Sequence, residues 1–226
     1  MKILHLETSS RNCSVAISDG TDMLCLCEEI SENYKQSESL HTFVQWALEG
    51  AGVTLADLDA VCLGMGPGSY TGLRIGASSA KGFCYGLKIP LIAVNSLQTI
   101  TDRFLGQNYD YVVPMVDARR MEVYTAVYDG NSGEIISDTE AKILDEQSFL
   151  DFKDRKVLFA GDGAAKAKEI LQLPEAVFLE DVYPSAEFLI SRAADQFRRS
   201  QFEDVAYFEP YYLKDFHGVK KKKSEE

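Results

Sequence analysis

Ile3-Leu4-His5-Leu6-Glu7-Thr8-Ser9, closing at Ser14-Val15-Ala16-Ile17-Ser18-Asp19-Gly20, returns without a gap in the second half of the chain. There it reads Val113-Pro114-Met115-Val116-Asp117-Ala118-Arg119 and closes at Tyr124-Thr125-Ala126-Val127-Tyr128-Asp129-Gly130. The offset of 110 is constant, pairing Glu7 with Asp117, Ala16 with Ala126 and Asp19-Gly20 with Asp129-Gly130. Each copy reads as a strand, an acidic turn, a second strand and an Asp-Gly hairpin turn. A repeat spanning about half of 226 residues predicts two lobes of similar build, with a cleft between them. The expected boundary lies near Gly106-Gln107-Asn108, giving lobes over 1–106 and 107–213 and a basic tail over 214–226.

The residues after each hairpin extend the unit. In the first half the pattern predicts a third strand over 23–30, a helix over 37–52, a buried strand over 60–63, a helix over 70–85 and a strand over 90–94. The second half gives strands over 134–137 and 156–160 and helices over 164–171 and 185–199. Strands that alternate with helices after an opening hairpin make a mixed sheet covered by helices, an α/β class.

Composition narrows the function. Apolar residues are 46% and charged residues 26%, ordinary for a globular protein. No apolar run approaches the roughly 20 residues that span a bilayer, and the N-terminus meets Glu7 too early for a signal peptide, so a cytoplasmic protein without a membrane partner is expected. Cys13, Cys25, Cys27, Cys62 and Cys84 are odd in number and lack CxxC spacing, against both a disulfide framework and a zinc site. A net charge of −12 opposes free-standing binding of a polyanion. The exception is Lys220-Lys221-Lys222-Lys223, which reads as a solvated terminal run or as a nucleic-acid steering tail.

The strongest local signal is the loop from Gly64 to Gly76, Gly-Met-Gly-Pro-Gly-Ser-Tyr-Thr-Gly-Leu-Arg-Ile-Gly, after a buried strand and opening a helix. Gly66 and Gly68 permit close backbone approach, and Ser69 can cap the helix. Such a loop can hold an anion, the helix dipole adding about 0.3–1 kcal/mol, or it is a tight turn that lets the helix pack on its sheet. No lysine follows the glycines, so it is not a Walker A loop. Glu7, with Thr8 and Ser9 after it, and Asp117 end matching strands, where carboxylates can hold a hydrated magnesium ion beside a nucleotide phosphate. Alternatively Arg119 and Arg120 neutralise Asp117 in a plain ion pair. His5, His41 and His217 are far apart in sequence, so there is no HExxH-type metal pair and no sequence case for a Ser-His or metal-dependent hydrolase.

These residues resemble the TsaB family: the Glu7-Thr8-Ser9 turn, the glycine-rich loop, Asp117 to Tyr124, Leu91 to Leu97 and Glu209-Pro210-Tyr211-Tyr212-Leu213. The resemblance covers nearly the whole chain, thinnest between about 131 and 175. It implies an actin-like, ribonuclease H-like duplicated fold. It also implies a non-catalytic partner subunit for threonylcarbamoyl transfer to the adenosine next to the anticodon of ANN-decoding tRNAs. The implied partners are a TsaD-type catalytic subunit, a TsaE-type ATPase and a second copy of the chain, with tRNA reached only through the complex. No cofactor is expected to bind firmly, and ATP with magnesium is expected in the partner subunit. The catalytic relative's two metal-binding histidines would follow the strand ending at Val94, where this chain has Asn95-Ser96-Leu97-Gln98-Thr99-Ile100. Family members often carry His-Ser-Glu before the first long helix, where this chain has Gln36-Ser37-Glu38. The rival reading is an actin-fold nucleotide phosphotransferase, or ATPase, active alone.

Two helices of the first half carry more apolar surface than one buried face explains. Leu40, Phe43, Val44, Ala47, Leu48 and Ala51 form a core stripe, with Trp46 off it. Beside the stripe Leu73, Ala77, Ala80, Cys84 and Leu87 runs a row of small residues, Gly72, Gly76, Ser79 and Gly86, with Phe83. Small residues let another helix approach closely, whether inside the lobe or from a partner. The resemblance points to the partner, with Phe43, Trp46, Gly72, Gly76, Ser79 and Phe83 as the interface.

Overall fold

The computed structural model describes residues 1–31 and 36–214, so the tetralysine run and His217 lie outside the described residues. β1 (Lys2–Glu7), β2 (Asn12–Asp19), β3 (Asp22–Ile30), β4 (Ala60–Gly64) and β5 (Leu91–Val94) form one sheet in the order β3-β2-β1-β4-β5. β6 (Tyr111–Asp117), β7 (Glu122–Asp129), β8 (Ile135–Ile143), β9 (Val157–Ala160) and β10 (Val177–Leu179) form a second in the order β10-β9-β6-β7-β8. Read from the hairpin side, the two orders are the same. In each sheet the first three strands are antiparallel and the last two join in parallel. The duplication read from the offset is therefore a duplication of topology.

The hairpin turns fall where Asp-Gly predicts, joining β2 to β3 with Asp19 opposite Asp22 and β7 to β8 with Tyr128 opposite Ile135. β8 runs to Ile143, longer than the four residues expected, because as an edge strand it stays polar and half-exposed without a clean alternation. The helix expected over 185–199 opens as a 3-10 turn, Ala186–Leu189, before the α-helical part.

The helices are α1 (Gln36–Ala51), α2 (Tyr70–Leu87), α3 (Ser96–Asp102), α4 (Ala164–Ile170) and α5 (Ile190–Arg198). α2 starts where Ser69 accepts a hydrogen bond from the Gly72 N–H, and it stops at Lys88 in the left-handed conformation, two residues before Pro90. α1 and α2 cover one face of the first sheet through Leu40, Phe43, Val44, Ala47, Ala77, Ala80 and Cys84. Its other face is closed from the second half of the chain, by Ala186, Leu189, Ile190 and Ala193 on Ile3, Ala16, Cys62 and Ile92. The exchange is mutual, since Leu97, Ile100 and Phe104, in and just after α3, cover Val112, Val116, Ala126 and Tyr128 of the second sheet. Among the described residues no helix is long and apolar enough to cross a membrane.

Candidate functional site

β1 ends in Glu7, and the parallel strand β4 ends beside it in Gly64, so the first acidic turn lies directly against the glycine-rich loop. The Glu7 carboxylate is fully buried, and its two oxygens accept from the Ser9 N–H at 2.8 Å and from Ser96 Oγ at 2.9 Å. Ser96 at the start of α3 closes the corner, its Oγ accepting from the Gly66 N–H at 3.1 Å and its own N–H donating to the Gly66 carbonyl at 2.9 Å. Burial pushes the Glu7 pKa up, against the hydrogen bonds from Ser9 and Ser96 that hold it down.

The glycines of the loop answer to this turn. A Cβ on Gly64 would sit on the Glu7 carboxylate, one on Gly68 on the Ser9 carbonyl and one on Gly72 on the Thr8 carbonyl. Thr8 Oγ1 donates to the Gly72 carbonyl at 2.8 Å, and the Ser69 N–H donates to the Ser9 carbonyl at 2.6 Å. Ser69 also caps α2, so the Ser69 and Gly72 N–H groups at the helix start already face the chain's own oxygens. The structure thus brings Glu7, Thr8, Ser9, Gly66, Gly68 and Ser69 together, around each other. Ser9 Oγ is buried without a hydrogen-bond partner.

Asp117 is differently placed. It is exposed, and its Oδ1 accepts from the Arg119 N–H at 2.5 Å while pairing with the Lys166 ammonium from α4. The ion pair expected from Arg119 or Arg120 is therefore made by Lys166. That side chain reaches across from α4, one turn past a Gly161-Asp162-Gly163 bend at the end of β9. Asp162, which the sequence reading passed over, accepts the Asp117 N–H at 2.8 Å. Burial raises its pKa, helped by the charge of Asp117 and opposed by the Asp117 N–H, Arg11 and Lys166. An acid between two glycines at a strand end was the available signal. Neither Glu7, enclosed, nor Asp117, ion-paired, fits a hydrated magnesium ion as it stands. Among the described residues no three His, Cys, Asp or Glu side chains are grouped as a metal ion requires. His5 is buried with Nε2 2.8 Å from Ser18 Oγ, and burial pushes its pKa down to about 3, so it is neutral.

The proposed contact face divides. Gly72 and Gly76 are buried, and a Cβ on Gly76 would meet the Thr8 hydroxyl and lie 3.0 Å from Leu63, so these two pack inside the lobe rather than on a partner. Phe43 is core at 8% exposure. Ser79 and Phe83 lie partly exposed beside His41 of α1, Ser79 Oγ 3.3 Å from its Nε2. Trp46 is 53% exposed, its ring 5.7 Å from that of Phe43. Past them the row opens to solvent: a Cβ on Gly82 or Gly86 would touch nothing within 4 Å, and Tyr85 is 84% exposed.

The late segment seals the loop from outside, the Tyr211 N–H donating to the Met65 carbonyl at 2.8 Å. Between the lobes it leaves a crevice of about 30 Å³ bordered by Gly68, Tyr70, Tyr124, Tyr212 and Lys214.

A family model described as TsaD, tRNA N6-adenosine threonylcarbamoyltransferase, matches residues 29–221. A Bacillus subtilis protein named tRNA threonylcarbamoyladenosine biosynthesis protein TsaB is 32% identical, the match covering 76% of either chain. The Escherichia coli protein of that name is 29% identical over 98% of either chain. The solved structure of YeaZ from Pseudomonas aeruginosa superposes with a TM-score of 0.81 at 29% identity, covering 94% of this chain and 99% of that one.

Proposed function

This chain belongs to the TsaB family of tRNA threonylcarbamoyladenosine biosynthesis proteins, and from that premise we propose that it is a non-catalytic partner subunit in threonylcarbamoyl transfer to tRNA. The transfer targets the adenosine next to the anticodon of ANN-decoding tRNAs, and a TsaD-type subunit does the chemistry. The observation that carries this reading is the enclosure of Glu7: the corner where an actin-like enzyme would handle a phosphate is filled by Glu7, Ser9, Ser96 and the backbone of the loop. α3, where the catalytic relative's histidines are expected, presents Ser96, Gln98 and Thr99 instead. Any ATP and magnesium then belong to the partner subunit or to a TsaE-type ATPase.

The surface offered to the catalytic subunit, or to a second copy of this chain, is the open end of α2: Ser78, Gly82, Tyr85 and Gly86, with Ser79, Phe83 and Trp46 on its α1 flank. Small residues there let a partner helix approach closely, and exposed aromatic rings supply the anchor. ATP turnover by the purified chain tests the silence of the cleft. Hydrolysis at background level is expected, unchanged in Glu7→Gln and Asp117→Asn. Robust turnover abolished by either substitution would restore the phosphotransferase reading.

A further inference from the structure

The turn between β6 and β7 holds Arg119 and Arg120 in succession in the left-handed region, at φ 68° and 55°. Neither has the short polar side chain or the missing Cβ that makes this conformation cheap. The tight β6–β7 turn calls for this conformation and favours Asn and Gly in it, yet the chain carries arginine at both positions. Folding does not use them: both are exposed, Asp117 is taken by Lys166, and among the described residues neither guanidinium has an ion-pair partner. In a chain of net charge −12 two unpaired arginines side by side are conspicuous.

Arg119 borders an aromatic face, its charge acting on the Tyr124 hydroxyl. Tyr70 at the start of α2 and Tyr212 have ring centroids 5.1 Å apart, and the exposed Arg74 guanidinium lies 5.4 Å over Tyr70. Tyr124 of β7 stands across the crevice, with the Lys214 ammonium 5.7 Å over its ring and Arg119 close enough for its charge to act on the hydroxyl. Lys214 is itself neutralised by Glu122, so the net positive charge comes from the arginines. At about 30 Å³ the crevice takes a water and no base, so a flat ligand would lie outside it, on the exposed side of Tyr212.

Tyrosine faces interleaved with unpaired guanidiniums are how single-stranded nucleic acid is held, bases on the rings and phosphates on the cations. We propose that Tyr70, Tyr124 and Tyr212 with Arg74, Arg119 and Arg120 form an RNA contact surface for unstacked nucleotides of the tRNA once the catalytic subunit presents it. This rests on the subunit function proposed above, whose substrate adenosine lies in a single-stranded loop.

The test replaces Arg119→Asn and Arg120→Gly together, which removes both charges while supplying residues that favour the left-handed conformation. Four readouts are taken: melting of the isolated chain, assembly with the catalytic subunit on gel filtration, and the affinity and salt slope of the complex for an ANN-decoding tRNA transcript. Expected are a melting temperature no lower than the parent's and intact assembly. Affinity should fall about tenfold at 0.1 M salt, and the slope of log K against log salt should shrink by about 1.4, two single-strand phosphate contacts. Tyr212→Ala should weaken binding about tenfold with the slope unchanged. An assembled double variant with unaltered affinity and slope overturns the RNA surface and leaves the subunit function standing. A double variant that folds but no longer assembles also overturns it, making the patch a protein interface. Failure of the parent chain to assemble would instead sink the subunit function itself.

Discussion

A Cβ on Gly72 would meet the Thr8 carbonyl, and one on Gly76 the Thr8 hydroxyl, at the point where the β1–β2 turn crosses α2. At Gly76 the Thr8 hydroxyl is itself held on the Gly72 carbonyl at 2.8 Å and moves aside only by breaking that bond. Gly76→Ala should therefore cost about 1–3 kcal/mol in urea unfolding of the isolated chain, and Gly76→Arg should prevent folding. A folded Gly76→Arg chain with the parent's melting temperature would show that α2 is not seated on this turn. Glu7 gives a second residue-scale expectation. Its folded pKa lies above the ordinary 4.5 because burial disfavours the charge. Its contribution is thus complete below pH 4.5 and lost as pH rises toward the folded value. Glu7→Gln, neutral at every pH, should match the parent near pH 4 and then gain on it by up to about 1.4 kcal/mol per pH unit. Parallel stability curves for the two proteins would mean that the carboxylate is ionised at no cost. Neither the enclosure of Glu7 nor the Lys166 partner of Asp117 was legible in sequence, because both depend on side chains 89 and 49 residues away.

At the scale of elements, α2 shows what periodicity can and cannot say. Its spacing identified a row of small residues beside the core stripe, and the row exists. What lies against it changes along the axis: the Thr8–Ser9 turn at Gly72 and Gly76, His41 of α1 at Ser79 and Phe83, and open space at Gly82 and Gly86. A helical pattern carries direction around the axis and nothing about height along it. Gly82→Ala should accordingly stabilise the chain by about 0.5–1 kcal/mol, since the new methyl meets nothing and helix propensity improves. Gly82→Arg should leave the melting temperature no lower than the parent's while removing binding to the catalytic subunit by calorimetry; undiminished binding would place the interface elsewhere. The hairpins were legible for a different reason. Antiparallel neighbours are local, so β1–β2–β3 and β6–β7–β8 could be read from short stretches, with Asp19-Gly20 and Asp129-Gly130 turning the second strand into the third. β10 has three residues and no buried alternation, and α3 has seven, under two turns of any pattern; both escaped.

Across the whole molecule the halves are interlocked. Each sheet borrows a cover from the other half, and the seam is pinned twice. Arg192 of α5 forks onto Asp102 of α3 with both bonds at 2.7 Å, and Glu28 of β3 accepts from Asn12, Ser14 and Ser185. On the function proposed above, the chain is required for the transfer and performs none of it. The direct measurement is threonylcarbamoyl incorporation into an ANN-decoding tRNA from an activated donor, by the chain alone, by the TsaD-type subunit alone and by the two together. Sustained incorporation only with both present is the predicted result. Incorporation by this chain alone, or equal rates from the catalytic subunit with and without it, would contradict the account.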